Sequence, residues 1–161
     1  MTANEWIERL GLMPHPEGGW FNEVYRSHER VVQDALPERF GGARVFSTAI
    51  YFLLNMGEVS RLHSIRQDEV WHFYDGEPLQ LHRIRPDGQH IAQRVGLSEG
   101  AMPLVVVPAG DLFGAEVMGD GYSLVGCTVA PGFEFDDFEM PSRDEVYQRF
   151  PQHAELIQKL T

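Results

Sequence analysis

Short runs in which apolar and polar residues alternate fill the middle of the chain, and this pattern is typical of half-buried β-strands. Turns rich in glycine, proline, aspartate and asparagine separate the runs, which read GWFNEVYRS, STAIYFLL, SRLHSI, EVWHFYDG, LQLHRI, HIAQRVG, PLVVVPAG, GAEVM and SLVGCTVA. One of these turns, residues 86–88, has the sequence Pro-Asp-Gly, which favours a tight hairpin. Many short strands at regular intervals predict an all-β sandwich or barrel.

A helix is predicted at each end of the chain from a capping pattern at its first turn. Thr2 is followed three residues later by Glu5, and Ser142 is followed in the same way by Glu145. Each pair can satisfy the free backbone N–H groups at the start of a helix. Residues 28–44 show neither the helical nor the strand period, and we predict that they form a mobile loop.

Length and charge favour a single acidic domain that spans residues 1–161. The chain has 24 acidic residues against 13 Lys and Arg, a formal net charge of -11, which disfavours nucleic acid and anionic membranes as partners. No apolar run approaches the roughly 20 residues of a membrane-spanning helix, and the first residues lack the basic start of a signal peptide. The single cysteine, Cys127, cannot form an internal disulfide. We therefore expect a cytoplasmic protein.

In two predicted strands, one face carries a glutamate flanked by two aromatic residues, because side chains alternate across a strand. In a third strand, Ser47 and Tyr51 share a face that carries two hydroxyl groups. A glutamate at the solvent edge of a core, or in a structural ion pair, would explain one such stripe. Two of them together with the hydroxyl stripe favour strands that line a partly apolar small-molecule cavity. The lining residues predicted in this way are Phe21, Glu23, Tyr25, Ser47, Tyr51, Glu69, Trp71 and Phe73.

The stretch GEVSRLHSIRQDEVWHFYDG resembles the first conserved motif of the cupin superfamily. Gly57, His63, Glu69 and Gly76 stand at the spacing of that motif, whereas Ile65 stands where the motif has a second histidine. Four longer stretches, PHPEGGWF, STAIYFLL, DEVWHFYDG and CTVAPGFEF, are similar to the uncharacterised cupin-5 subfamily. The resemblance implies a double-stranded β-helix, or jelly-roll barrel, with short terminal helices. It does not imply one function, because cupins include dioxygenases, sugar epimerases and storage proteins.

The familiar cupin site offers three histidines and one glutamate to a transition metal. A second, weaker cupin pattern leads here to Phe113 in place of its histidine, so Phe113 and Ile65 occupy two of the four ligand positions. His63 and Glu69 remain as weak metal-ligand candidates. Catalytic metal sites generally need three protein ligands. We therefore expect no resident metal or other cofactor, and a lumen suited to an organic ligand with Phe113 among its lining residues.

His63 is the predicted centre of the site. The resemblance implies that it points into the barrel lumen with Glu69, and a neutral histidine beside a carboxylate is an oriented general base. Metal-free cupins that epimerise nucleotide-linked keto sugars pair such a base with a tyrosine, and by this analogy Tyr51 is the candidate acid. The PHPEGGW turn presents His15 and Glu17, which either line the rim of the site or belong to a turn that only leads into the first strand. The stretch APGFEFDDF resembles a similar rim by composition, but a packed exit from the last strand is the favoured interpretation.

These observations favour a small-molecule-binding protein. If it is an enzyme, we expect an isomerase or epimerase that acts on a sugar-like or other polar metabolite. The alternative is a non-catalytic binding or sensing module that uses the same lumen, and the third candidate is a metal-dependent oxygenase with a degenerate site. A homodimer is expected, because pairing between chains hides exposed strand edges.

Overall fold

The computed structural model describes residues 1–161, which form two β-sheets packed face to face in a jelly roll. The strands, in chain order, are β1 Met13–Pro14, β2 Trp20–Arg26, β3 Arg30–Val31, β4 Arg44–Val45, β5 Thr48–Asn55, β6 Val59–His63, β7 Asp68–Gly76, β8 Leu79–Ile84, β9 His90–Val95, β10 Ala101–Met102, β11 Leu104–Val107, β12 Leu112–Val117 and β13 Tyr122–Ala130. One sheet has the order β1-β2-β5-β13-β7-β11, and the other has the order β10-β9-β8-β12-β6. All pairs are antiparallel except β9 with β10, and β3 pairs separately with β4.

All nine predicted strands are present, with ends shifted by a few residues at most, so the all-β prediction is confirmed. The four strands that the sequence did not indicate are two residues long, too short to show an alternating pattern. The predicted hairpin connects β8 and β9, where the Gly88 backbone N–H donates to the Arg85 carbonyl (2.8 Å).

The helices are α1 Ala3–Leu10, α2 Arg143–Arg149 and α3 Ala154–Leu160, with short 3₁₀ turns at Gln33–Ala35, Phe135–Asp137 and Pro151–His153. Both predicted capping boxes form, since the side chains of Thr2 and Ser142 accept from the backbone N–H of Glu5 and Glu145. None of the helices is long and apolar enough to cross a membrane.

Residues 28–44 are more ordered by packing than their sequence indicated. They contain β3, a 3₁₀ turn and the first residue of β4, and the Phe40 side chain is buried. At their end, the Arg44 guanidinium forms a buried ion pair with Asp137, with N–O distances of 2.6 and 2.8 Å. The prediction of a mobile loop missed these contacts, because a single buried arginine gives no periodic signal.

The main apolar core lies between the two sheets. Phe52 and Trp71 come from the six-stranded sheet, and Leu81 and Phe113 come from the five-stranded sheet. Burying each such side chain contributes about 1.5 to 3 kcal/mol. Two smaller clusters seat the helices: α2 and α3 cover the outside of the five-stranded sheet, and α1 packs on the outside of β5 and β13.

Candidate functional site

A cavity of about 110 Å³ opens between the sheets at one end of the sandwich. It is walled by strands of the six-stranded sheet and by His63 of β6, and it is closed by the PHPEGG turn and by the chain that follows β13. Its lining consists of aromatic and aliphatic side chains with a few ionisable groups: His15, Glu17, Phe21, Glu23, Arg26, Thr48, Ile50, Phe52, His63, Ile65, Glu69, Trp71, Cys127, Val129, Phe133, Glu134, Phe135 and Phe138.

Two glycines allow the PHPEGG turn to reach into this cavity. Gly18 and Gly19 have φ values of +109° and +73°, and a Cβ at Gly18 would lie 2.2 Å from the carbonyl oxygen of Val59. The turn therefore lies directly against the backbone of β6. The Arg61 backbone N–H donates to the Glu17 carbonyl (2.8 Å) and holds it there. As a result, the Glu17 side chain is buried inside the cavity rather than exposed at its rim.

Glu17 is the direct partner of His63. Glu17 Oε2 lies 3.1 Å from His63 Nε2, and Glu17 Oε1 accepts from the Ser60 hydroxyl (2.7 Å). His63 Nδ1 lies 2.6 Å from the Arg61 carbonyl, which can only accept, so Nδ1 carries a proton. A hydrogen bond between Nε2 and Oε2 then needs one further proton, which belongs either to the carboxyl group or to the imidazolium. The pair therefore shares one proton at the wall of the cavity.

Burial dominates the electrostatics of this group. It lowers the pKa of His63, an effect that the nearby Glu69 partly offsets, and it raises the pKa of Glu17. It also lowers the pKa of His15, with partial compensation from Glu17. The His15 Nδ1 accepts from the Glu17 backbone N–H (3.2 Å), so the ring is held as a neutral acceptor at this atom.

Glu69 is a buried carboxyl group whose pKa lies close to neutral pH. Burial raises its pKa from 4.5 to about 7, while His63 lowers the pKa, Glu17 raises it and a hydrogen bond from the Cys127 thiol lowers it. Burial and the Glu69 charge together raise the pKa of Cys127, which is therefore a neutral thiol. Trp71, which also lines the cavity, has a buried indole N–H without a hydrogen-bond partner in the protein. With a pKa of about 7, Glu69 exchanges a proton near neutral pH.

Arg26 lies at the mouth between two carboxylates. Its Nε and Nη2 donate to Glu23 (2.8 and 2.9 Å), and its Nη1 donates to Glu134 (3.0 Å). A fourth donor hydrogen, on Nη2, is bonded to the Phe133 carbonyl (3.0 Å). The guanidinium is therefore nearly saturated by the protein itself.

Residues 131–140, which we call the post-β13 segment, cover the cavity with aromatic rings. Phe133, Phe135 and Phe138 pack edge to face with centroids 5.0 to 6.3 Å apart. Asp137 anchors the segment through Arg44 and accepts from the Gln67 amide (2.8 Å). The rings are consequently held over the cavity by buried polar contacts.

The structure brings most of the predicted site residues together. The members that line one cavity are His15, Glu17, Phe21, Glu23, His63, Glu69 and Trp71. Phe113 lies behind His63, with ring centroids 4.1 Å apart, and belongs to the core. Phe73 also packs against the core rather than lining the cavity.

Three further predicted lining residues, Tyr51, Ser47 and Tyr25, also lie outside the cavity, and one cause is the parity of β5. Its cavity face carries Thr48, Ile50 and Phe52, so Tyr51 points to the outer face, where its ring meets Tyr74 at 5.8 Å. Ser47 is bonded to the Val129 carbonyl (2.9 Å). The role of Tyr51 as a cavity acid is therefore wrong.

The third displaced residue is Tyr25, which is exposed. A register shift between Glu23 and Tyr25 reverses the alternation of side chains along β2. Arg26 takes the cavity side instead. A β-bulge of this kind leaves no mark in a pattern of apolar and polar residues.

The post-β13 segment lines the cavity rather than serving only as an exit from the last strand. Of the two interpretations of APGFEFDDF, the rim is the one that the structure supports, because Phe133, Glu134, Phe135 and Phe138 all line the cavity. The available signal was composition: three phenylalanines and a glutamate beside a rigid strand end are typical of a site rim.

The residues at the metal positions of the cupin motifs do not suit a metal. Ile65 and Phe113 have no donor atoms, and the free nitrogen of His63 faces Glu17. No group of three or more His, Cys, Asp or Glu side chains is arranged to hold a metal ion. We therefore derive no chemical step from a metal.

Comparisons with known proteins agree with this architecture. A protein-family model described as Cupin superfamily (DUF985) matches residues 4–141, and no curated protein matches the chain. The crystal structure of a protein from Shewanella oneidensis is 39% identical, with a TM-score of 0.90, over 100% of this chain and 98% of that one. A hypothetical protein from Leishmania major is 36% identical, with a TM-score of 0.91, over 100% and 99%. Oxalate decarboxylase from Bacillus subtilis shares only the fold, at 15% identity and a TM-score of 0.56 over 92% of this chain and 36% of that one.

Proposed function

The chain belongs to the cupin superfamily, in the family DUF985, and from this premise we propose that it binds a small organic molecule in the cavity and transfers a proton on it, as an isomerase or epimerase does. The observation that carries the proposal is the convergence of two separate acid–base groups on one small cavity. These groups are Glu69 and the pair formed by Glu17 and His63.

Proton transfer needs an acid and a base whose pKa values lie near the working pH. With a pKa of about 7, Glu69 is present in both protonation states at neutral pH and can take or give a proton. The Glu17–His63 pair holds one shared proton and can act in the opposite sense. In the proposed reaction one group removes a proton from a carbon next to a carbonyl, and the other returns a proton to the ligand. One proton leaves the ligand and one returns to it, so the product is an isomer of the substrate and no co-reactant is needed.

A non-catalytic binding or sensing module is the second candidate. The observation that favours it is the internal pairing of the polar groups, because Ser60, Glu17 and His63 already satisfy one another. Such a chain of hydrogen bonds can hold a ligand in a fixed orientation without reacting with it.

Deuterium exchange separates the two candidates. Metabolites that stabilise the protein in a thermal-shift screen are incubated with it in D₂O, and incorporation at carbon is measured by mass spectrometry. We expect the wild type to exchange a carbon-bound hydrogen of its ligand, and His63→Gln and Glu69→Gln to lose about 100-fold in rate. Both variants should keep the fold, as judged by circular dichroism.

Tyr51→Phe is the matched control. It removes an acid of similar chemistry from outside the cavity, so exchange should stay at the wild-type rate. Ligands that bind without any exchange would support the binding module. A ligand processed by His63→Gln as by the wild type would show that the cavity has been assigned wrongly.

A further inference from the structure

The ionisable groups of the cavity carry an excess of negative charge. The only permanent cation that faces it is Arg26, which lies between two carboxylates, Glu23 and Glu134, and Glu69 adds a third carboxyl group. The Glu17–His63 pair carries no net charge, and burial favours the neutral form of His15, so neither offsets the carboxylates. A ligand anion would therefore enter a field that repels it.

Arg26 does not provide an anion site. Four of its five N–H hydrogens are already bonded to Glu23, Glu134 and the Phe133 carbonyl. A ligand carboxylate or phosphate would have to displace one of these glutamates, which would then lose its partner close to other carboxylates. Replacing a glutamate by a ligand anion therefore gives no net gain in binding free energy.

The aromatic rings favour the opposite charge. The faces and edges of Phe133, Phe135 and Phe138 surround the mouth, and Phe135 is 56% exposed although it is a large apolar side chain. The faces of aromatic rings attract cations, and groups of rings close to carboxylates bind organic ammonium ions. An exposed phenylalanine at a cavity mouth gains a partner when such an ion binds.

The cavity also limits the size and polarity of the ligand. A protein cavity of about 150 Å³ accommodates benzene, so 110 Å³ accommodates a compact group of similar or smaller size. Besides its ionisable groups the lining is mostly apolar, and the Trp71 indole N–H is an unused donor. A polyhydroxylated sugar ring would leave several hydroxyl groups without partners there.

We propose that the ligand of this cavity is a small organic cation, an alkylammonium group held by the post-β13 phenylalanines and the cavity glutamates. This inference rests on the proposed function to the extent that the cavity is the ligand site. It replaces the sugar-like metabolite expected from the sequence with a different chemical class.

The test uses isosteric probes on the full-length chain. Binding of choline, of the neutral 3,3-dimethylbutan-1-ol and of the anion 3,3-dimethylbutyrate is measured by calorimetry. The first two differ only in whether nitrogen or carbon carries the three methyl groups. We expect choline to bind at least tenfold more tightly than either of the others. Glu69→Gln should reduce choline affinity at least fivefold, and Glu99→Gln, at an exposed turn, should leave it unchanged.

Equal or tighter binding of the neutral alcohol or the anion would overturn the cation assignment. The substitution Ile50→Trp places a larger side chain in the cavity. If it lowers the affinity for the alcohol or the anion, the cavity remains the ligand site. Failure of choline to bind also overturns the assignment. The proposed function is judged separately by the metabolite screen and the deuterium exchange, so the two failures are distinguishable.

Discussion

At the scale of the residue, the proton between His63 Nε2 and Glu17 Oε2 governs the site. The two groups are 3.1 Å apart and buried, so either protonation arrangement leaves the pair without net charge. Glu69 has no histidine partner of this kind, and burial raises its pKa to about 7. The cavity thus contains a buried carboxyl group that titrates near neutrality beside a pair that shares one proton.

Glu69 should make the free energy of unfolding depend on pH. Its pKa is raised from 4.5 to about 7 in the folded protein, so the folded state binds more protons than the unfolded chain between these values. Stability from this group is present below about pH 4.5, decreases as pH rises, and is lost above about pH 7. Glutamine does not titrate, so Glu69→Gln removes this pH-dependent loss of stability. Relative to the wild type, the variant should gain roughly 2 to 3 kcal/mol between pH 5 and pH 8.

Urea unfolding of both proteins at pH 5 and pH 8 measures this difference. Glu99→Gln, at an exposed turn, should have the same unfolding free energy as the wild type at both pH values. A constant difference between Glu69→Gln and the wild type would show that Glu69 is not held protonated by burial.

Metal content is predicted at the same scale. Because Ile65 and Phe113 have no donor atoms and His63 faces Glu17, protein purified without added metal should contain well under one equivalent of transition metal per chain. Elemental analysis by mass spectrometry measures it. Recovery of about one equivalent of iron, manganese or zinc, lost in His63→Ala, would contradict the prediction.

At the scale of the element, a buried carboxylate is the central anchor of the post-β13 segment. Asp137 is bonded to Arg44 and Gln67, and its partners belong to segments distant in the sequence. Glu139 adds two backbone hydrogen bonds with Ser64 (2.8 and 2.9 Å). These contacts fix the phenylalanines of the segment over the cavity.

Asp137→Asn should destabilise the protein strongly. It leaves the buried Arg44 guanidinium without its counter-charge, and breaking a buried ion pair in this way costs about 3 to 5 kcal/mol. Chemical denaturation measures the loss. Asp136→Asn changes the exposed neighbouring residue and should cost less than about 0.5 kcal/mol. Equal effects of the two substitutions would mean that the ion pair does not anchor the segment.

Strands were predictable at this scale and the residues that close the cavity were not. Alternation located β2, β5, β7 and β13, because half-buried strands must carry apolar residues on one face. It could not decide which face of β5 meets the cavity, since both faces are largely apolar once α1 covers the outer one. Nor could it place Glu17 beside His63, because that contact depends on how closely Gly18 approaches the backbone of β6.

At the scale of the whole molecule, the outer face of the six-stranded sheet stands out in a chain of net charge -11. Opposite the cavity side of β7 and β11, it presents Tyr74, Leu104 and Val106, which are 50%, 48% and 42% exposed. Val70 and His72 of β7 are the strand neighbours of Val106 and Leu104. An exposed, largely apolar sheet face of this kind suits contact with a second copy of the chain.

The predicted homodimer is therefore expected to use this face in addition to any free strand edge. Light scattering on the purified protein should give at least twice the mass of 18.3 kDa. Val106→Lys should lower the mass toward that of one chain by placing a charge in the contact, whereas Leu97→Lys, at an exposed turn elsewhere, should not. A wild-type monomer at working concentration would rule out the prediction.

The contacts that enclose the cavity join residues far apart in the chain. Ser60 and Glu17 are 43 positions apart, and Arg44 and Asp137 are 93 positions apart. Closing such long loops costs entropy before the contacts form, so non-local pairings are slow steps in folding. The turn packs on the backbone of β6, and the post-β13 segment follows the end of β13, so both need these strands in place. We therefore expect the two sheets to form before the PHPEGG turn and the post-β13 segment close over their open end. Ligand binding would then be the last property to return during refolding. Its recovery would indicate the fully folded protein rather than a partly folded intermediate.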